Sequence, residues 1–261
     1  MAATERLQDD VNRAVYYAPS VYRHYLRTNL APAEAACLAK YEPRIANRDV
    51  LDIGVGAGRT ARHLAPLARR YEAVDYSPVM VAYASRAYPG LSVRRADFRD
   101  LSMFADDSFD FLFATDNVID ALSHEDRLRA LRESARVLRP EGILAFSSHN
   151  LRYRRALSPP WVDWTANPLR LAKNFVRYGQ GWWNHLRVGP LRQINPGYAL
   201  LNDRGHFYAC LHYYASRSTV RSQLAECGFS LIEAFDPAGR IAPEAQDDSE
   251  FPALLYIAQL D

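Results

Sequence analysis

The chain has 261 residues, 49% of them apolar, and its 32 Lys and Arg against 30 Asp and Glu leave a net charge of +2. That length and composition suit one large globular domain or one domain with a cap, and the near-balance of charge removes any general attraction to nucleic acid, so no nucleic-acid partner is expected. Cys37, Cys210 and Cys227 are far apart, lack metal-ligand spacing and read as buried thiols in a reducing compartment, while the charged N-terminal stretch and the lack of any membrane-length apolar run point to a cytoplasmic protein with no membrane partner.

In chain order, residues 1–48 show no strand alternation, and Glu5 to Lys40 is expected to be mostly helical, interrupted near Pro19 and Pro32, as a helical lid. Its cluster of Tyr16, Tyr17, Tyr22, Arg23, His24 and Tyr25 reads as helix faces packed on the domain. Val50–Ile53 is a short buried strand, Gly54-Val55-Gly56-Ala57-Gly58 a glycine-rich turn, and a helix over Thr60–Ala68 follows. The three alternating glycines strip Cβ atoms from one side of the loop, so backbone N–H groups can approach an anionic or polar ligand at the positive end of that helix.

Strand and helix then alternate. Glu72–Asp75 is a strand, Pro78–Ala87 a helix with Ser77 as N-cap, and Leu91–Ala96 and Phe109–Ala114 are strands. Ser123–Leu138 is an amphipathic helix, and Ile143–Ser147 is a fifth strand entered through the turn Arg139-Pro140-Glu141-Gly142. This alternation calls for a doubly wound parallel sheet over residues 49–150. Asp75, Asp97-Phe98, Thr115-Asp116-Asn117 and Ser147-Ser148-His149-Asn150 fall at carboxyl ends of strands, where open α/β sheets gather ligands. Residues 151–214, rich in Pro, Arg, Asn and Trp, are too long for an ordinary connection and are expected to form an inserted cap that selects a substrate, stabilises the fold or forms a dimer. Within it His206–Tyr214 alternates as a strand. Residues 215–261 complete the core with a helix over Ser216–Cys227, stopped by Gly228, and strands over Phe229–Phe235 and Phe251–Leu260.

Two ligands satisfy the glycine turn. Gly56-x-Gly58-x-x-Ala61, with Asp75 beyond it, meets the dinucleotide fingerprint. Asp52, a carboxylate just before the loop, sits badly beside a diphosphate and well beside an ammonium group, which favours a ligand with one carboxylate, one ammonium and a ribose. The run Asp52-Ile53-Gly54-Val55-Gly56-Ala57-Gly58 resembles the first motif of the class I S-adenosylmethionine-dependent methyltransferases. The resemblance implies a Rossmann-like, seven-stranded, mostly parallel sheet closed by an antiparallel hairpin, with S-adenosylmethionine as cofactor and S-adenosylhomocysteine as product. It implies cofactor contacts at Asp52, Gly54, Gly56 and Gly58, at Asp75 for the ribose hydroxyls, and at Tyr76 and Met80 against the adenine. Asp97 is implied for the adenine amino group, with Phe98 as an apolar wall, and Thr115, Asp116 and Asn117 for the methionine part or the substrate. The family's N-terminal helices often fold over the cofactor, which makes Tyr22 and Arg23, with Tyr17, candidates for its carboxylate.

The implied activity is methyl transfer to an oxygen or nitrogen of a small molecule such as a sugar, a secondary metabolite or a biosynthetic precursor. A hydroxyl acceptor needs a base, for which His149 is the first candidate and His206 and His212 the next. No compact ligand spacing supports a metal, so none is expected. A methyltransferase fold with a structural cofactor, acting as an isomerase, cyclase or binding scaffold, is the alternative, and a nicotinamide-dependent oxidoreductase a more distant one. Cap aromatics leave a homodimer open.

Overall fold

Five consecutive buried residues, Asp49–Ile53, form the central strand β1, which is covered on both faces and carries two buried carboxylates, Asp49 and Asp52, among its apolar side chains. In the computed structural model, which describes residues 3–19, 25, 26 and 29–261, β1 lies between β2 (Arg70–Asp75) and β4 (Phe109–Ala114), parallel to both. Outward on one side follows β3 (Ser92–Arg95); on the other comes β5 (Leu138–Asn150). β10 (Ala253–Leu260) runs antiparallel to β5 and pairs antiparallel with β9 (Phe229–Phe235), so β3-β2-β1-β4-β5-β10-β9 is the expected sheet closed by an antiparallel pair.

Strand alternation sends Phe111 and Phe113 to one face of the sheet and Leu112 and Ala114 to the other. The first pair packs with Cys37, Leu38 and Ile45 of α2 (Pro32–Ile45); the second with Leu128 and Leu131 of α5 (His124–Val137) and Leu224 of α7 (Arg217–Glu226). α1 (Ala3–Tyr16) precedes α2; it ends shortly before Pro19, and α2 opens at Pro32. All three cysteines are buried and free.

Several local expectations are corrected. The helix after the glycine turn, α3, spans only Ala61–Leu64, because Pro66 has no N–H to carry it on. Ser77 precedes α4 (Pro78–Ala87) but makes no side-chain cap; its hydroxyl donates to the Tyr16 carbonyl and its N–H to Asp75. Ser123 and Ser216 do cap their helices, accepting from the N–H groups of Asp126 and Thr219. His206–Tyr214 is not one strand. Its first part is a 3-10 turn, Gly205–Tyr208, in which His206, Phe207 and Tyr208 all have positive φ, a conformation that no strand accommodates.

The insertion holds a 21-residue helix, α6 (Pro168–Val188), and three further strands, β6 (Gln193–Asn195), β7 (Tyr198–Leu201) and β8 (His212–Ala215). β4 pairs with β5 as far as Phe146, while β10 holds the opposite edge as far as His149. β8 pairs with His149 and Asn150, so it takes the edge that β4 leaves free. The insertion therefore extends the sheet to ten strands and brings β8 against the carboxyl ends of β4 and β5.

Candidate active site

β1 runs directly into the glycine turn. Gly54 has φ +71° and a Cβ there would lie 2.3 Å from Val118 Cγ2; Gly58 has φ +85° and its Cβ would lie 2.3 Å from the Tyr88 ring. Neither position accepts another residue without displacing its neighbour. The turn walls a cavity of about 740 Å³, mouth included, with Asp52, Gly54, Gly56, Asp75, Tyr76, Met80, Thr115, Asp116 and Asn117 in its lining. Gly58 is set back from this wall and serves the turn itself. Gly54, Asp75 and Tyr76 also face a second lobe of about 490 Å³ that holds Asp97 and Phe98.

Asp75 accepts from the N–H groups of Gly56 (2.9 Å) and Ser77 (2.8 Å), which fixes the strand end to the glycine turn. Burial pushes its carboxyl up to about 6 against those two bonds. Asp52 accepts from Thr60 Oγ1 (2.5 Å) and Tyr71 Oη (2.7 Å), and burial again prevails and raises it to about 6. Asp97 behaves oppositely. Burial would raise its carboxyl, but Arg99 grips it through Nε (2.9 Å) and Nη2 (2.7 Å) and holds it low. Arg99 also reaches Asp126 on α5, so the loop is braced on the helix behind it. The Tyr76 hydroxyl is buried with no partner among the described residues.

Tyr22 and Arg23, expected near the ligand's carboxylate, lie outside the described residues. Tyr17 packs on Tyr76 and receives a hydrogen bond from Arg95, away from the cavity. Tyr16 and Tyr25 line the cavity instead. Arg59 also lines it and is held by both oxygens of Glu34 on α2, a tie between the N-terminal region and the glycine turn that the sequence reading did not find.

A third cavity, about 870 Å³ with its mouth, adjoins the first through the shared Tyr16, Tyr25, Arg59, Asp116 and Asn117. His149, His206 and His212 all line it. Asp120, fully buried on the 3-10 turn Val118–Ala121, accepts from His149 Nδ1 (2.7 Å), from the His149 backbone N–H (2.6 Å), from Ser148 Oγ (2.7 Å) and from Arg127 Nη1 (2.5 Å). Because Asp120 is acceptor-only beside that guanidinium, Nδ1 of His149 is the donor, and its Nε2 lone pair is left toward the cavity, 3.3 Å from Asn117 Nδ2. Burial opposes the imidazolium, yet Asp120, with Asp203 and Asp116 behind it, outweighs burial and raises His149 above the ordinary histidine range.

The insertion repeats the arrangement. Asp203 Oδ2 accepts from His212 Nδ1 (2.9 Å) and Tyr214 Oη (2.6 Å), its Oδ1 from the Gly205 N–H (2.6 Å), and His212 stacks on His149 with ring centres 5.3 Å apart. His206 accompanies them, its Nε2 3.0 Å from Tyr25 Oη. The ligating atoms of His149, Asp203 and His212 all fall within 4.8 Å of one another, a juxtaposition that no sequence spacing revealed.

Asp120 and Asp203 are the residues that sequence reasoning missed. Asp120 left one trace: a carboxylate inside the apolar run Val118-Ile119-Asp120-Ala121 must find partners if that run is buried. Asp203 left none, since its histidine is brought to it by the β7–β8 turn.

Residues 51–146 match the family described as a methyltransferase domain. A probable S-adenosylmethionine-dependent methyltransferase of Mycobacterium tuberculosis is 38% identical over 126 residues, 48% of this chain and 43% of that protein. A trans-aconitate 2-methyltransferase of Methylobacterium nodulans is 36% identical over 140 residues, 49% of this chain and 52% of its own length. The chain thus spans less than half the length of the first of these relatives and about half of the second. Among solved structures, a Burkholderia thailandensis 1,6-didemethyltoxoflavin-N1-methyltransferase with bound S-adenosylhomocysteine has a TM-score of 0.63 at 14% identity, covering 100% of this chain and 92% of that one; the likeness is one of fold.

Proposed function

We propose that this chain, a member of the class I S-adenosylmethionine-dependent methyltransferases, methylates a hydroxyl oxygen of a small organic acceptor with His149 as the base. The observation that carries the reading is the His149 ring: Nδ1 is committed to a buried carboxylate, and Nε2 faces a cavity that adjoins the glycine-turn cavity.

The residues present suit the cofactor. Asp52 is a carboxylate for an ammonium group, Asp75 has acceptor capacity for ribose hydroxyls, and the lobe with Phe98 offers a purine an apolar wall together with the Tyr76 hydroxyl, which has no partner among the described residues. When bound, S-adenosylmethionine supplies a methyl group that needs no further activation. The protein's own work is to position the acceptor, exclude water and take one proton. His149 Nε2 accepts the hydroxyl proton, and Asp120 orients the ring and stabilises the imidazolium that forms. Arg127 donates to Oδ1 of Asp120 and leaves Oδ2 to the ring. An amine acceptor requires only its free lone pair, and so large a buried arrangement behind one imidazole favours a hydroxyl over an amine.

The test is methyl transfer from labelled S-adenosylmethionine to a panel of hydroxyl-bearing metabolites. His149→Ala is expected to lower kcat by roughly 10²–10⁴-fold with S-adenosylhomocysteine affinity intact. Undiminished kcat at saturating acceptor would remove His149 from the chemistry. As a proton acceptor His149 needs no ion, so a chelator is expected to leave turnover unchanged; loss on chelation, restored by a divalent metal, would assign His149, Asp203 and His212 to a metal instead.

A further inference from the structure

α6 carries apolar side chains outward as well as inward, where Leu171, Tyr178 and Trp182 are half-buried. Its buried positions are Asn174, Gly181, Asn184 and Val188, and two of these make polar contacts inward: Asn174 donates to the Asp163 carbonyl (2.7 Å) and Asn184 to the Phe207 carbonyl (2.9 Å). The outward stripe is apolar. Leu169, Val176 and Trp183, spaced by seven residues, are 84%, 72% and 72% exposed, and Leu186 is 67% exposed beside them. A soluble helix normally turns such a stripe inward. Beside the stripe stand four exposed cations, Arg170, Lys173, Arg177 and Arg187, and the helix contains no Asp or Glu. The bias is regional: residues 151–192 hold eight Lys and Arg against a single acid, Asp163, in a chain of net charge +2.

We infer that α6 docks on an anionic lipid bilayer surface. An apolar stripe with tryptophan, bordered by cations only, is the composition that lies in the plane of a membrane, with its apolar side chains at the acyl boundary and its cations on lipid phosphates. Among the described residues no helix is long and apolar enough to cross a membrane, so the contact proposed is with one leaflet. A second copy is the poorer occupant: pairing α6 with itself sets cation rows together with no acid on either helix to answer them. The same helix packs on the 3-10 turn that carries His206, through the Asn184–Phe207 bond, so the docking face and the histidine-lined cavity belong to one structural unit. The inference stands on the exposed face alone and does not require the methyl acceptor to be known.

The test is co-sedimentation of the full chain with vesicles of phosphatidylglycerol and phosphatidylcholine in equal parts, and with phosphatidylcholine alone. The wild-type protein is expected to pellet with the anionic vesicles, to be released by high salt, and to stay in solution with the neutral ones. The exposed double variant Trp183→Glu/Leu186→Glu should lose that binding with its circular dichroism and S-adenosylhomocysteine affinity unchanged. Neutralising Lys173, Arg177 and Arg187 to Gln should weaken binding on the order of a hundredfold. Wild-type protein that ignores anionic vesicles, or a folded double variant that pellets equally well, overturns the inference. So does a wild-type dimer that the double variant dissolves in the absence of vesicle binding, which gives the face to a second copy.

Discussion

His149 illustrates how much chemistry one side chain owes to residues distant in sequence. Its position at the carboxyl end of the fifth strand was legible; its Asp120 partner, 29 positions earlier, was not, because that pairing is created by a 3-10 turn folding over the end of β4. In the proposed reaction the ring must be neutral, and it is held above the ordinary histidine value, so kcat/KM should rise as pH increases through a value above 6.5. Asp120→Asn keeps a side chain of the same shape but loses the charge, and should lower that apparent pKa together with the rate; an unmoved profile would show Asp120 to be merely structural. Asp52 and Asp75 carry the opposite signature. Each sits at about 6, above its ordinary 3.8, because of burial. In the unliganded fold such groups stabilise most below the unfolded value, and that stability is lost as pH rises through 6. Binding an ammonium and ribose hydroxyls favours the ionised forms, so S-adenosylhomocysteine affinity should fall as pH drops below about 6, as calorimetry across that range would reveal.

At the scale of elements, the glycine turn was the most legible part of the chain because its geometry admits few residues. Gly54→Ala combines a positive φ with a Cβ 2.3 Å from Val118, on the 3-10 turn that also carries Asp120. It should cost about 1–3 kcal/mol of stability, measured by denaturant unfolding, and weaken cofactor binding. A variant as stable and as tight-binding as wild type would contradict the close packing of turn on turn. The misread elements have local causes. Pro66 cuts α3 to one turn, and three successive left-handed residues break the alternation of His206–Tyr214, a conformation that hydrophobic periodicity does not encode.

For the whole molecule, the core sheet was legible from the strand–helix alternation, while of the three added strands only β8 left a trace, in the alternation over His206–Tyr214; β6 and β7 were hidden in a segment that read as aromatic and basic. What joins the two is the overhang of β5, where β8 pairs with His149 and Asn150. Beneath it lies the fully buried Asp120–Arg127 pair, with Arg127 also bonded to Gln223 of α7 (3.0 Å) and to Ser148 (3.1 Å) and seated 4.8 Å from the centre of the Tyr213 ring. Arg127 thus links α5, α7, β5 and β8. Replacing it with Leu strands a buried carboxylate and should cost about 3–5 kcal/mol, seen as a lowered Tm; replacing both Arg127 and Asp120 with apolar residues should recover much of that stability but none of the activity.

The most direct test of the account is a calorimetric titration of the wild-type chain and of Asp75→Ala with S-adenosylhomocysteine and with NAD. Saturable binding of S-adenosylhomocysteine alone, weakened roughly ten- to a hundredfold by loss of the Asp75 carboxylate, is the expected result. Binding of NAD in its place would contradict the reading of Asp52 as an ammonium partner, and with it the assignment of the glycine-turn cavity to a methyl donor.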